Sequence, residues 1–140
     1  MKQIEHIGIA VKDLNASNIL YEKLLGKPPY KSEEVITEGV KTSFFEMGTS
    51  KIELLEASNA DSPIAKFIEK RGEGIHHIAY EVEDIVGELK RLQQEGFILL
   101  NEKPKEGADN KWVAFLHPKS TGGVLIELCQ DREIELKEFD

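Results

Sequence analysis

What most constrains the fold of this chain is that it repeats itself. His6-Ile7-Gly8-Ile9-Ala10-Val11-Lys12-Asp13-Leu14 aligns without a gap on His77-Ile78-Ala79-Tyr80-Glu81-Val82-Glu83-Asp84-Ile85. A repeat of this length implies a supersecondary unit used twice, with the copies arranged so that their apolar faces are covered. Each segment leads into a helical pattern that ends in glycine. Ala16, Ile19, Leu20 and Leu24 recur at helical spacing before Gly26, and Ile85, Leu89 and Leu92 do so before Gly96. Glycine just past the last periodic residue is a favourable helix stop. Asp13 and Asp84 stand where a carboxylate caps the unpaired N–H groups of a first turn.

After each helix the pattern turns to strands. The first half offers a returning strand around Glu34 to Thr37, then Lys41 to Met47 and Lys51 to Glu56 around the turn Gly48-Thr49-Ser50. The second offers Phe97 to Leu100, Trp112 to His117 and Val124 to Cys129, the last after Thr121-Gly122-Gly123. Each half reads βαβββ. The expected class is therefore α+β, with two tandem βαβββ modules forming a curved mixed sheet around a cup. Module one covers about 1–60 and module two about 73–130. A linker helix runs over about 61–72, with Asp61 or Ser62 as cap and Pro63 in its first turn. An acidic tail occupies 131–140. The 140 residues suit one domain spanning 1–140, with 40% hydrophobic and 31% charged residues.

Strand parity locates a candidate site. Alternate side chains face opposite ways, so His6 shares a face with Gly8 and Ala10, and His77 with Ala79 and Glu81. The apolar residues Ile7, Ile9, Val11 and Ile78, Tyr80, Val82 lie on the opposite faces, suited to packing under helices. The last strand of each half repeats the pattern. Glu53 opposes Ile52 and Leu54, and Glu127 opposes Val124, Ile126 and Leu128. His76 is one residue from His77, but the repeat alignment selects His77 and parity puts His76 on the Ile78 face. The His-to-Glu spacing is nearly the same in both halves, which predicts two imidazoles and two carboxylates about a pseudo-twofold axis. Any one of these is an ordinary polar residue. Four of them, related by a repeat, are a ligand set for a divalent metal. Imidazole suits zinc, nickel, cobalt and iron, and carboxylate shifts preference toward manganese and magnesium. No nearby thiolate suggests a structural zinc knot.

Composition narrows the remaining classes. A formal net charge of −8 disfavours nucleic acid as a partner. No apolar run approaches the roughly 20 residues of a membrane span. The single Cys129 cannot form an internal disulfide, which points to a reducing, cytoplasmic setting.

These residues also carry a resemblance that covers nearly the whole chain. His6 to Val11, Lys51 to Glu56, Asp61 to Ala65, Gly74 to Ala79 and His117 to Leu128 resemble the methylmalonyl-CoA epimerase family. The wider grouping is the vicinal oxygen chelate (glyoxalase/bleomycin resistance/dioxygenase) superfamily. The resemblance implies paired βαβββ modules and one divalent metal ion, cobalt, manganese, nickel or zinc, on His6, Glu53, His77 and Glu127. It also implies an acyl-CoA substrate, a homodimer and interconversion of (2R)- and (2S)-methylmalonyl-CoA through a metal-stabilised enolate. The second ligand is often Gln in such epimerases, so Glu53 makes this site more negative. Some members carry Glu three residues after the Gly of a Gly-Val pair, where this chain has Thr42. Inversion needs a proton removed on one face and delivered on the other. Glu127 is one candidate acid/base group and Glu46, on the face of Thr42, is the other. Lys119, Ser120, Thr121 and Gly122, with Gly123, are candidates for the CoA phosphates or the substrate carboxylate, and also read as a plain hairpin turn. Trp112, Phe115, Phe44 and Phe45 read as core and cavity wall. A glyoxalase I-type lyase, another isomerase of the superfamily and a metal-free small-molecule-binding module are the alternatives. The four-ligand set speaks against a dioxygenase, which uses two histidines and one carboxylate.

Overall fold

The computed structural model describes residues 1–137, and these form two compact units. One is His6–His76. The other joins Met1–Glu5 to the chain from His77 onward.

The first unit holds most of β1 (Gln3–Ala10), then α1 (Leu14–Leu25), β2 (Lys31–Val35), β3 (Val40–Met47), β4 (Ser50–Ala57) and α2 (Pro63–Arg71). Its strands run in the order β2-β3-β4-β1, with β1 parallel to β4 and the other neighbours antiparallel. The two helices lie on opposite faces. α1 sets Leu14, Tyr21 and Leu25 against Val11, Phe45 and Leu54. α2 sets Ile64, Phe67 and Ile68 against Ala10, Val40 and Leu55. Asp13 caps α1 by accepting from the Ala16 N–H at 3.1 Å, and Gly26 ends it in the left-handed conformation, φ 79°. Ser62 caps α2 through the Ile64 N–H, with Pro63 following.

The second unit is built alike from most of β5 (Gly74–Glu81), with α3 (Ile85–Gln94), β6 (Lys105–Gly107), β7 (Lys111–Leu116) and β8 (Ile126–Asp131). Its order is β5-β8-β7-β6, with β5 parallel to β8 and the rest antiparallel. α3 buries Ile85, Val86, Leu89 and Leu92 on Ala114, Leu116 and Leu128. Each of these side chains contributes about 1.5–3 kcal/mol by leaving water.

The α+β class and the paired βαβββ order stand as expected. The differences in detail have local causes. β2 lies earlier than Glu34 to Thr37, because Ile36–Glu38 turns into a short 3₁₀ segment closed by left-handed Gly39. Residues 97–100 meet β7 only through the bridge Leu99–Leu116, and the third strand of that half is Lys105–Gly107. The helix expected as a linker is part of the first unit, since its apolar face covers the end of that sheet. On α1, Ile19, Leu20 and Leu24 face outward, and the residues facing the sheet are Leu14, Tyr21 and Leu25. Of the expected acidic tail, Asp131 closes β8 and 138–140 lie outside the described residues.

Candidate functional site

In the first unit, β1 runs beside β4 with Gly8 opposite Glu53, and β3 runs back with Phe44 opposite Glu53. Partners across a ladder share a face, so His6, Glu53 and Phe44 meet on one side of the sheet. The His6 Nε2 lies 3.2 Å from Glu53 Oε1, with both side chains buried. The Phe44 ring stands edge-on to the imidazole, centroids 6.3 Å apart at 83°.

The second unit repeats every part of this. Ala79 and Phe115 are the ladder partners of Glu127. His77 Nε2 lies 3.0 Å from Glu127 Oε1, both buried. Phe115 stands edge-on to His77 at 6.0 Å and 82°. The second oxygen of Glu127 accepts the Cys129 thiol at 3.4 Å. Each half therefore presents one imidazole, one carboxylate and one phenyl wall.

Polar groups are buried at a cost unless they are satisfied, and here the Nε2 of each imidazole faces a carboxylate oxygen. An Nε2 that carries its proton donates to the carboxylate oxygen it faces at these distances. Nε2 becomes a metal donor when its proton moves to Nδ1 or is lost. Each half so offers one imidazole and one carboxylate, donor types that suit a divalent metal ion.

The other expected residues fall in several places. Glu46 is exposed near the end of β3, opposite Lys51, which in turn pairs with His6 across β4 and β1. Thr42 is fully buried, opposite Leu55, where α2 covers the sheet. His76 packs edge-on to Phe67 of α2, centroids 5.0 Å apart, apart from the His77–Glu127 contact. In the loop before β8, the Ser120 hydroxyl donates to the His117 carbonyl and accepts from the Ile98 N–H. The Thr121 hydroxyl donates to the Pro118 and Val124 carbonyls. Lys119 is exposed, and Gly122 and Gly123 take positive φ of 70° and 95°.

Two further pairs belong to the repeat and are not read as pairs from the sequence, in which Phe44 and Phe115 read as core and cavity wall. One is Phe44 with Phe115, whose roles follow from ladder register. The other is Glu56 with Gln130, each three residues past the site carboxylate. Glu56 accepts the first N–H of α1, from Leu14, and Gln130 accepts the first N–H of α3, from Ile85, both at 2.8 Å. Extending the alignment beyond the histidine segments would have found both pairs.

Residues 5–115 match the family model of the Glyoxalase/Bleomycin resistance protein/Dioxygenase superfamily. The chain is 43% identical over 130 residues to ethylmalonyl-CoA/methylmalonyl-CoA epimerase of Cereibacter sphaeroides, covering 91% of this chain and 97% of that one. It is 40% identical over 129 residues to the mitochondrial methylmalonyl-CoA epimerase of Homo sapiens, covering 91% and 73%. Among solved structures, a methylmalonyl-CoA epimerase in complex with methylmalonyl-CoA and an ammonium ion superimposes with a TM-score of 0.92. It is 32% identical, over 98% of this chain and 99% of that one.

Proposed function

Because the chain belongs to the Glyoxalase/Bleomycin resistance protein/Dioxygenase superfamily, we propose that it is a methylmalonyl-CoA epimerase, interconverting the (2R) and (2S) forms. The observation that carries this is the duplicated buried pair, His6 with Glu53 and His77 with Glu127, in a chain whose relatives bear that name over nearly its whole length.

In this reading His6, Glu53, His77 and Glu127 hold one divalent ion: cobalt, manganese, nickel or zinc. Such an ion, when bound, supplies positive charge against the substrate oxygens on which the enolate charge collects. The residues supply the rest. One group takes the C2 proton as a base, the electron pair is held as the enolate, and a second group returns a proton to the opposite face. Nothing else is gained or lost. Glu127 is one of the two groups. Glu46 is the other, supported by the row His6–Lys51–Glu46, which puts its side chain on the His6 face of β3. The carboxylate of Glu53 adds negative charge, so a divalent ion is retained better than a monovalent one.

The loop at 117–123 is the candidate for the CoA end of the substrate. Ser120 and Thr121 spend their hydroxyls on the loop, leaving the Lys119 ammonium and the backbone at Gly122 to meet phosphate oxygens. Among the described residues no helix is long and apolar enough to cross a membrane. A cytoplasmic homodimer completes the reading.

The test is proton exchange at C2 of methylmalonyl-CoA in deuterated water, with metal-stripped protein and protein reloaded with each ion. Deuterium uptake with interconversion of the two epimers, dependent on metal, is the expected result. No uptake in protein that demonstrably binds metal would sink the assignment. Isomerisation of a glutathione thiohemiacetal instead would put the lyase first, and ligand binding with neither reaction would make the chain a binding module.

A further inference from the structure

The two halves treat their repeated helices differently. α3 sinks Ile85, Val86, Leu89 and Leu92 and turns Arg91, Gln93 and Gln94 outward. α1 has no fully buried residue, and Ile19, Leu20 and Leu24 are 61%, 61% and 69% exposed. The same helix already rests on its sheet through Leu14, Tyr21 and Leu25. A helix that is apolar on both sides is one that packs on both sides.

The outward face has an internal order that identifies what covers it. At 3.6 residues per turn, Ala16, Leu20 and Leu24 form one stripe. The cap residue Asp13 stands at one end and Lys27, just past Gly26, at the other, each seven positions from Leu20. An antiparallel copy crossing at Leu20 sets each Leu24 on the other's Ala16, large on small. It also brings each Lys27 toward the other's Asp13 and opposes the helix dipoles. A parallel copy would set like charge on like charge. We propose that α1 is the apolar centre of a twofold interface between two copies of this chain, with Leu20 at the axis. This rests on the homodimer in the reading above and is independent of the reaction.

The test is molecular mass by sedimentation across a concentration series for the full chain and three variants. The native chain is expected to dimerise. Leu20→Glu weakens the dimer on the order of tenfold or more while its thermal unfolding stays close to native, since the side chain is exposed in the monomer. Lys27→Glu weakens it too, and adding Asp13→Asn restores part of the loss, because Asn keeps the cap and removes the repulsion. Leu20→Cys forms an intermolecular disulfide on oxidation, whereas Asn15→Cys, off the stripe, does not. A native dimer that survives Leu20→Glu, or Leu20→Cys that fails to cross-link, overturns the α1 interface and leaves the homodimer standing. A native chain that is monomeric throughout overturns both.

Discussion

Each imidazole of the site has two neighbours that the repeat duplicates, a carboxylate at its Nε2 and a phenyl edge at its side. In the proposed reading the carboxylates are metal donors and the edge-on phenyl rings limit how each imidazole can turn. Groups that orient a ligand typically control metal affinity by about 10–100-fold. Phe44→Leu and Phe115→Leu are each expected to weaken cobalt binding by about tenfold and shift its visible spectrum, with folding retained. A competition titration with a chelator measures the first. An unchanged spectrum and affinity would reduce the rings to packing.

Away from the site, Arg91 donates two hydrogen bonds to Glu88, at 2.9 and 3.0 Å. This bonding holds the Glu88 carboxyl below its ordinary value. A carboxyl depressed in the folded state contributes stability that is present above its unfolded pKa and lost as pH falls through the folded one. Urea midpoints measured through the acid range should therefore fall less steeply with decreasing pH in Arg91→Met than in the native chain. Both partners are at the surface, so the difference is small.

Within each half, the strand carrying the acid is tied to the helix that follows the histidine strand. The tie is a side chain three residues past the acid, Glu56 to the first N–H of α1 and Gln130 to that of α3. The first N–H groups of a helix have no partner of their own, and Gln130 is buried, with its amide donating to the Ile134 carbonyl. Gln130→Ala is expected to cost about 1–3 kcal/mol, read from chemical unfolding. Gln130→Glu keeps an acceptor for the Ile85 N–H but loses the donor to the Ile134 carbonyl and buries a charge, so it too is expected to destabilise, less so once acid neutralises the carboxylate. A loss that does not ease as the pH is lowered would mean that the buried charge is not its cause.

For the molecule as a whole, the proposed function gives one ion to His6, Glu53, His77 and Glu127, and under that reading loss of either histidine should abolish its binding. An ion that binds only the folded chain stabilises it by about 2.7 kcal/mol at a hundred times its dissociation constant. Metal is expected to raise the unfolding temperature of the native chain and to leave His6→Ala and His77→Ala nearly unmoved. If one of those variants kept the full gain, the two pairs would be separate sites and not one.

The histidines and the acids could be read from the sequence because both signals are local. A strand alternates with period two, and a repeated His-to-Glu spacing is visible without knowing which strands pair. Helix caps at Asp13, Ser62 and Asp84 were legible for the same reason, since a cap acts within three residues. What the sequence could not determine depends on register and on what lies across a face. Phe44 and Phe115 became part of the site only when antiparallel pairing set them opposite Glu53 and Glu127. Residues 97–100 are an apolar run that reads as a strand, yet they meet β7 at a single bridge and its ladder partner on that side is Lys105–Gly107, because backbone hydrogen bonding decides pairing and side-chain pattern does not. α1 is the sharpest case. Its periodicity showed that Ile19, Leu20 and Leu24 share a face, but a helix with two apolar faces has no periodic signal for which one meets the sheet. The tertiary fold chose Leu14, Tyr21 and Leu25.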